Sequence, residues 1–180
     1  MFKKIISFII AISIVTVVFG TIYATVQQNY RQSANDPQVQ MAEDTANFLS
    51  NGGQIQQLAT IYPQVNFAKS LAPFLIMYDE QGKVVLSTGN MDNVVPTPPT
   101  GVFIFTKLNG ENRLTWQPRN DVRIASVIVP YLYQNSSGFI LAGRNLREVE
   151  FRENHLTLMV FAGWILSVIG LIFYFAVKIF

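Results

Sequence analysis

Few side chains in this sequence could do covalent chemistry. There is no cysteine, which removes thiol nucleophiles, disulfides and cysteine metal sites together. His155 is the single histidine, so neither a histidine-centred triad nor a multi-histidine metal site can be assembled. It falls where a polar helix meets an apolar one, an interfacial position. Its ordinary pKa near neutrality would also suit proton sensing. Asp79 and Glu80 are adjacent carboxylates within Asp79-Glu80-Gln81-Gly82, which reads as a solvated turn rather than an acid–base pair. Glu43 and Asp44, with Asp36 nearby, could contribute to a hard-cation site. Such a site needs several converging oxygens, and no EF-hand spacing surrounds them. With neither a nucleophile–base pair nor a metal constellation, the sequence points away from an enzyme, and no metal or cofactor is expected.

Binding is the better-supported class. Arg113, Arg119 and Arg123 lie near Trp116 and Tyr131 along a strand-rich stretch. A guanidinium fork grips a carboxylate or phosphate bidentately, and an aromatic wall would suit a small organic anion. The simpler account is a sheet surface with solvated arginines and Trp116 in the core. Further on, Arg144, Arg147 and Arg152 interleave with Glu148, Glu150 and Glu153. Glu148 and Arg152 are four apart, a supportive helical pair. A solvated helix face is the default here, and a contact with lipid headgroups or a partner helix the sharper alternative. A net charge of +2 gives no basis for nucleic-acid binding.

The elements that must position these residues begin with two apolar blocks. Half of the 180 residues are hydrophobic, and the mean hydropathy is positive. The excess sits at the two ends. Residues Ile5 to Tyr30 and Leu156 to Val177 carry no charged side chain. Crossing a bilayer core of ~30 Å takes ~20 helical residues, and a helix satisfies its own backbone there. The sequence therefore predicts spans at 5–26 and 156–177. Lys3 and Lys4 precede the first and Lys178 follows the second, whereas the middle holds the other 10 basic and all 11 acidic residues. By the positive-inside rule the tails, 1–4 and 178–180, are expected in the cytoplasm, with residues 27–155 outside. A cleaved signal peptide is the competing reading of the first block. Its apolar run is long for that role, and Ile22-Tyr23-Ala24 is a poor cleavage site. Small residues four apart, Gly20 with Ala24 and Gly163 with Ser167, would allow close helix approach.

Between the spans, Asp36 is expected as an N-cap with Pro37 opening a helix that runs to Ser50 and stops at Asn51-Gly52-Gly53. A bend is expected at this restart. A short helix follows over 54–62. Phe74–Tyr78 and Lys83–Ser87, joined by the Asp79–Gly82 turn, give a hairpin signal. The proline-rich stretch 90–101 must be extended and irregular. Val102–Thr106 is short and β-prone, and Asn109-Gly110 is a turn signal. Arg113–Gln117 alternates, so Leu114 and Trp116 should face a core. Val122–Tyr133 suits a central strand and Phe139–Gly143 a last one. Asn135-Ser136-Ser137 is a glycosylation sequon, discounted because the chain otherwise looks bacterial. Asn145 to Glu148 has the form of a capping box, opening a helix that meets no proline before the chain end. The order describes a small α+β domain, one antiparallel sheet with helices to one side, held between two transmembrane helices.

Two stretches resemble a known group. Phe74-Leu75-Ile76-Met77-Tyr78-Asp79-Glu80-Gln81-Gly82-Lys83-Val84-Val85-Leu86-Ser87 is similar to the strand-turn-strand of PAS-like (single Cache or PDC type) extracytoplasmic sensor domains of bacterial membrane receptors, histidine kinases among them. Gly143-Arg144-Asn145-Leu146-Arg147-Glu148-Val149-Glu150 is similar to the segment joining their last strand to the second span. The resemblance covers residues 27–156 and implies a sensor domain in signal transduction. It also implies that a metabolite site, if there is one, is lined by Tyr78, Trp116, Arg123 or Tyr131. Receptors of this group continue into a signalling domain, whereas this sequence ends at Phe180, so output is expected through a partner chain. Two functions follow as expectations. One is a sensory module that binds a small organic ligand or a protein. The other is a structural or assembly subunit of an envelope complex, a homodimer or bound to a different protein, with no small ligand. A cavity lined by the four residues favours the first, and a filled core with an exposed apolar patch the second.

Overall fold

The computed structural model describes residues 2–33, 35–134 and 136–178. The chain divides into a helical unit (1–32 with 149–180) and a sheet unit (33–148).

The helical unit holds all but the last residue of α1 (Phe2–Ser33) and most of α5 (Arg147–Val177). Both are long and apolar enough to cross a membrane. They pack through specific contacts. The Trp164 indole N–H donates to Thr16 Oγ1 at 3.0 Å, and Phe8 meets Phe175 edge to face at 5.2 Å. At the polar end Arg31 pairs with Glu153 at 3.1 Å. Gly163 is needed here, because a Cβ at that position would lie 2.8 Å from the Phe19 ring. Gly20, by contrast, has open space around it. Of the two small-residue pairs, one is thus used within the chain.

The sheet unit opens with α2 (Asp36–Ser50). Asn35, not the expected Asp36, occupies the N-cap position. Its backbone is helical and its side chain makes no capping bond. Asp36 and Pro37 fall instead within the first turn, where a carboxylate and an absent N–H are both tolerated. The expected bend involves Ala34, which lies outside the described residues, as does Asn135 of the sequon. Gly52, at φ +88°, closes α2, and the Gly53 N–H returns to the Phe48 carbonyl at 2.9 Å. The short helix α3 (Ile55–Ile61) follows.

The sheet is antiparallel with five strands. Along the chain come a two-residue β1 (Val65–Asn66), β2 (Phe74–Asp79), β3 (Val84–Ser87), β4 (Gly89–Asn90), α4 (Gly101–Asn109), β5 (Asn112–Arg119), β6 (Val122–Tyr133) and β7 (Ser136–Asn145). The main order is β3-β2-β7-β6-β5, and β1 pairs with β4 separately. The final strand β7 is therefore central, between β2 and β6. Gly138 permits that pairing, since a Cβ there would sit 2.1 Å from the Tyr78 carbonyl.

Strand alternation sends the core in two directions. Phe74, Ile76 and Tyr78 of β2 join Ile124, Ile128, Phe139 and Leu141 on one face. Leu75 and Met77 join Val127, Val129, Tyr131 and Ile140 on the other. The second, mainly aliphatic face is covered by α2 and α3 through Ala42, Leu49 and Leu58. The first is aromatic, covered by the 65–68 segment and by α4 through Phe103. Helices thus lie on both faces, not to one side as expected.

Residues Val102–Thr106 correct the reading further, for they are helical. Phe103 and Thr106 point inward, three apart. Asn109-Gly110 is the end of this helix: Gly110, at φ +80°, donates to the Thr106 carbonyl at 2.8 Å. β5 keeps the expected alternation, with Leu114 and Trp116 turned toward the aromatic face. Asn145 belongs to β7 and α5 starts at Arg147, so the expected cap lies one residue early. Asn145 Oδ1 still accepts the Arg147 N–H at 2.8 Å.

Candidate functional site

The four residues singled out in the sequence do not converge. Tyr78 and Trp116 lie on the aromatic face. Tyr78 is fully buried, with its ring 4.9 Å from that of Phe103, and Phe103 stands 5.1 Å from Phe139. Burial pushes its phenol far above the ordinary range, and its hydroxyl has no hydrogen-bond partner among the described residues. A buried, protonated, core tyrosine is what these facts describe. The Trp116 indole donates to the buried Ser126 hydroxyl at 2.9 Å, which satisfies it within the sheet.

Arg123 and Tyr131 belong elsewhere. Arg123 is exposed between the buried Val122 and Ile124, so its side chain leaves the sheet away from the aromatic face. Tyr131 lies eight residues along the same strand, about 26 Å away at the usual rise per residue. The arginine cluster proposed around Trp116 and Tyr131 is likewise dispersed. Arg113 pairs with Glu111. Arg119 bonds both oxygens of Asp121, at 2.6 and 3.0 Å, and reaches Asp92 at 3.0 Å. Its guanidinium holds Asp121 below the usual carboxylate range. Asp92 is lowered first by the Asn66 amide and then by Arg119. No group of three acidic or histidine side chains is placed to hold a metal among the described residues.

Tyr131 does line a cleft. It has a volume of about 440 Å³, with Pro130, Leu132 and Phe139 among its apolar walls and Glu80 and Lys107 among its charged ones. Burial, reinforced by the Asp79 carboxylate, raises the Tyr131 phenol above its ordinary value. The Ser137 hydroxyl donates to Glu80, fixing that carboxylate at the cleft.

Beside the cleft lies α4, whose outer side was not foreseen. Ile104, Phe105 and Leu108 are 66, 50 and 80 % exposed. With Gly101 they follow i, i+3, i+4, i+7 spacing, a helical stripe that faces outward. Reading the segment as a strand hid that spacing. Lys107, on the same helix, reaches the cleft. Glu80, in a turn whose sequence marks it as solvated, lines the same cleft.

At the other end of β7 a second constellation holds the root of α5. Asn145, 3 % exposed, donates to the Phe67 carbonyl at 2.7 Å. Arg144 and Arg147 donate to the Leu71 and Lys69 carbonyls at 3.1 and 3.3 Å. The Leu146 N–H meets the Arg123 carbonyl at 2.9 Å. These bonds clasp the 67–71 loop to the strand-to-helix junction.

Comparison with known proteins leaves the site to stand on its geometry: no family model matches the chain, and no curated protein matches it.

Proposed function

We propose that this chain is a two-pass membrane protein whose outer domain, residues 27–155, is a PAS-like module for docking another polypeptide. Both tails are cytoplasmic in this reading. Its output runs through a partner chain, with α5 carrying a shift from the 67–71 clasp. Membrane placement is supported by two long apolar helices flanking the sheet domain and by the lysines at both tails. The PAS-like reading is supported by topology, since the last strand is central and pairs with the first strand of the hairpin.

The observation that carries the docking role is the outward apolar stripe of α4 beside an aromatic face packed ring on ring. Large apolar side chains clustered on an outer helix face mark interaction surfaces. A photoreactive residue at position 104 of the full chain, in native membranes, tests it. The expected product is an adduct containing a polypeptide, and labelling of lipid or solvent alone would refute docking. Sidedness is read separately. Because the chain has no cysteine, an impermeant maleimide should label Asn93→Cys in intact cells and Lys178→Cys only after permeabilisation.

A small organic ligand is the second reading. It is favoured by the cleft at Tyr131, whose volume falls in the range of small-molecule sites. It requires that soaking with a metabolite mixture raise the melting temperature of wild type but not of Tyr131→Ala.

A further inference from the structure

We infer that the occupant of the α4 surface is a second copy of this chain, joined through a two-fold axis. The inference rests on the docking reading above and names the partner. An isologous interface uses the same patch twice, so the patch must be complementary to itself. Self-complementarity has two requirements, a projection with a recess to receive it and charges of both signs at matching places.

The first is met by shape. Leu108 and Leu132 project into solvent at 80 and 72 % exposure. The cleft of about 440 Å³ lies beside them, walled by Tyr131 and Phe139, and Leu132 and Lys107 stand on its margin. A leucine of either copy can enter the recess of the other. Ile104, one turn from Leu108, extends the apolar area along α4.

The second is met by charge. The cleft carries one acid, Glu80, and one base, Lys107. A rim of a single sign would call for a partner of the opposite sign. A rim with one of each suits itself, because a two-fold axis can set Glu80 of each copy against Lys107 of the other. The Ser137 hydroxyl donates to one Glu80 oxygen and holds the carboxylate at the cleft, where it can meet the incoming ammonium. Charged groups around an apolar centre give an interface its register more than its strength, so the leucines supply affinity and the Glu80–Lys107 pairs the orientation.

Charge exchange in the full chain, reconstituted in nanodiscs or detergent and followed by sedimentation, is the test. Lys107→Glu alone sets two carboxylates against each other at each pair, and Glu80→Lys alone does the same with two ammonium groups. Each should weaken self-association by at least about tenfold. Both residues are exposed, so the fold is preserved. An equimolar mixture of the two variants should recover dimers, because both pairs of the heterodimer are again Glu with Lys. Ile104→Glu should abolish association with no recovery on mixing.

A wild-type chain that stays monomeric, or a mixture that associates no better than its components, overturns the inference. The position-104 photoadduct separates this from failure of the docking reading. An adduct of twice the chain mass supports the second copy. An adduct with a different polypeptide overturns the second copy and keeps docking, and the absence of any polypeptide adduct overturns both.

Discussion

Two of the helices that cover the sheet, α2 and α4, treat water differently. Every exposed residue of α2 is polar: Asp36, Gln40, Glu43, Asp44, Asn47 and Ser50. Its buried positions Gln38, Ala42, Thr45 and Leu49 recur at helical spacing toward the aliphatic face. α4 also buries one side, through Phe103 and Thr106, but its exposed side carries Ile104, Phe105 and Leu108. The same chain can thus make a finished amphipathic helix on one face of the sheet. On the other it leaves apolar surface outward where nothing in the fold requires it. Amphipathic burial accounts for the outer side of α2 but not for that of α4. The outer side of α4 is therefore the surface that calls for a partner.

The largest effect expected from breaking the comparison lies within the aromatic face, where the 65–68 segment covers it. Phe74 is fully buried, with its ring 4.4 Å from that of Phe67. It also fills the space that Cβ atoms at Gly89 and Gly143 would take, at 2.4 and 2.5 Å. Phe74→Ala should cost about 3–5 kcal/mol, the range for a buried aromatic. Chemical denaturation of the full chain in detergent checks it. A loss below 1 kcal/mol would mean that the aromatic face is not the packed core described.

The two helices can then be compared with one residue type. Leu49 of α2 is 2 % exposed and Leu108 of α4 is 80 % exposed. Leu49→Ala should cost about 2–5 kcal/mol. Leu108→Ala should stay within about 0.5 kcal/mol, as exposed substitutions do. Both are to be measured under conditions where the chain is monomeric. Equal losses would erase the contrast on which the docking role stands. Loss from Leu108→Ala only at high protein concentration would sharpen it.

How much of this was legible in the sequence depended on whether period and burial agreed. β5 alternates and is half buried, so Leu114 and Trp116 were readable as inward. β6 runs from Val122 to Tyr133 as expected, because burial on both faces leaves a run that is apolar apart from Arg123 and Ser126. Val102–Thr106 was misread for a physical reason. Phe, Ile and Val are strand formers on average, and the apolar residues on the outer side of α4 blurred its inward period. The misreading carried the candidate site with it, since Ile104, Phe105, Lys107 and Leu108 form one surface only on a helix. Tyr78, Trp116, Arg123 and Tyr131 belong together only through the resemblance to PAS-like domains. The strand register, which only long-range pairing fixes, sends them to different faces and ends of the sheet.

The faces also differ in how their covers are fastened. The aliphatic face is closed by α2 and α3, the aromatic face partly by loops held with side-chain bonds. Asn145 is the buried one of these, and its amide serves both the Phe67 carbonyl and the Arg147 N–H. Asn145→Ala leaves that carbonyl without its side-chain donor. The expected cost is about 1–3 kcal/mol, the penalty for orphaning a buried polar group. Asn145→Asp should also destabilise, because a carboxylate would face the Phe67 carbonyl it must replace a donor to. Hydrogen exchange should report the change first at Ala68 to Ala72. Unchanged exchange there would separate Asn145 from the loop.

The smallest effect is electrostatic and lies on the surface. Asp92 and Asp121 are exposed and held below their ordinary value of 3.8, with Arg119 bonded to both. A carboxylate whose folded pKa is depressed stabilises the fold above its unfolded pKa, and the contribution disappears as pH falls through the folded value. The Asn66–Asp92–Arg119–Asp121 bonds should therefore hold the 65–68 and 90–93 segments together at pH 7 and release them in acid. Arg119→Gln should melt slightly below wild type at pH 7, and the gap should close by pH 3. A gap that persisted at pH 3 would assign the role of Arg119 to packing rather than charge. Since the pairs are solvated, added salt at pH 7 should shrink the gap as well. No comparable salt response is expected for Leu49→Ala, whose loss is entirely apolar.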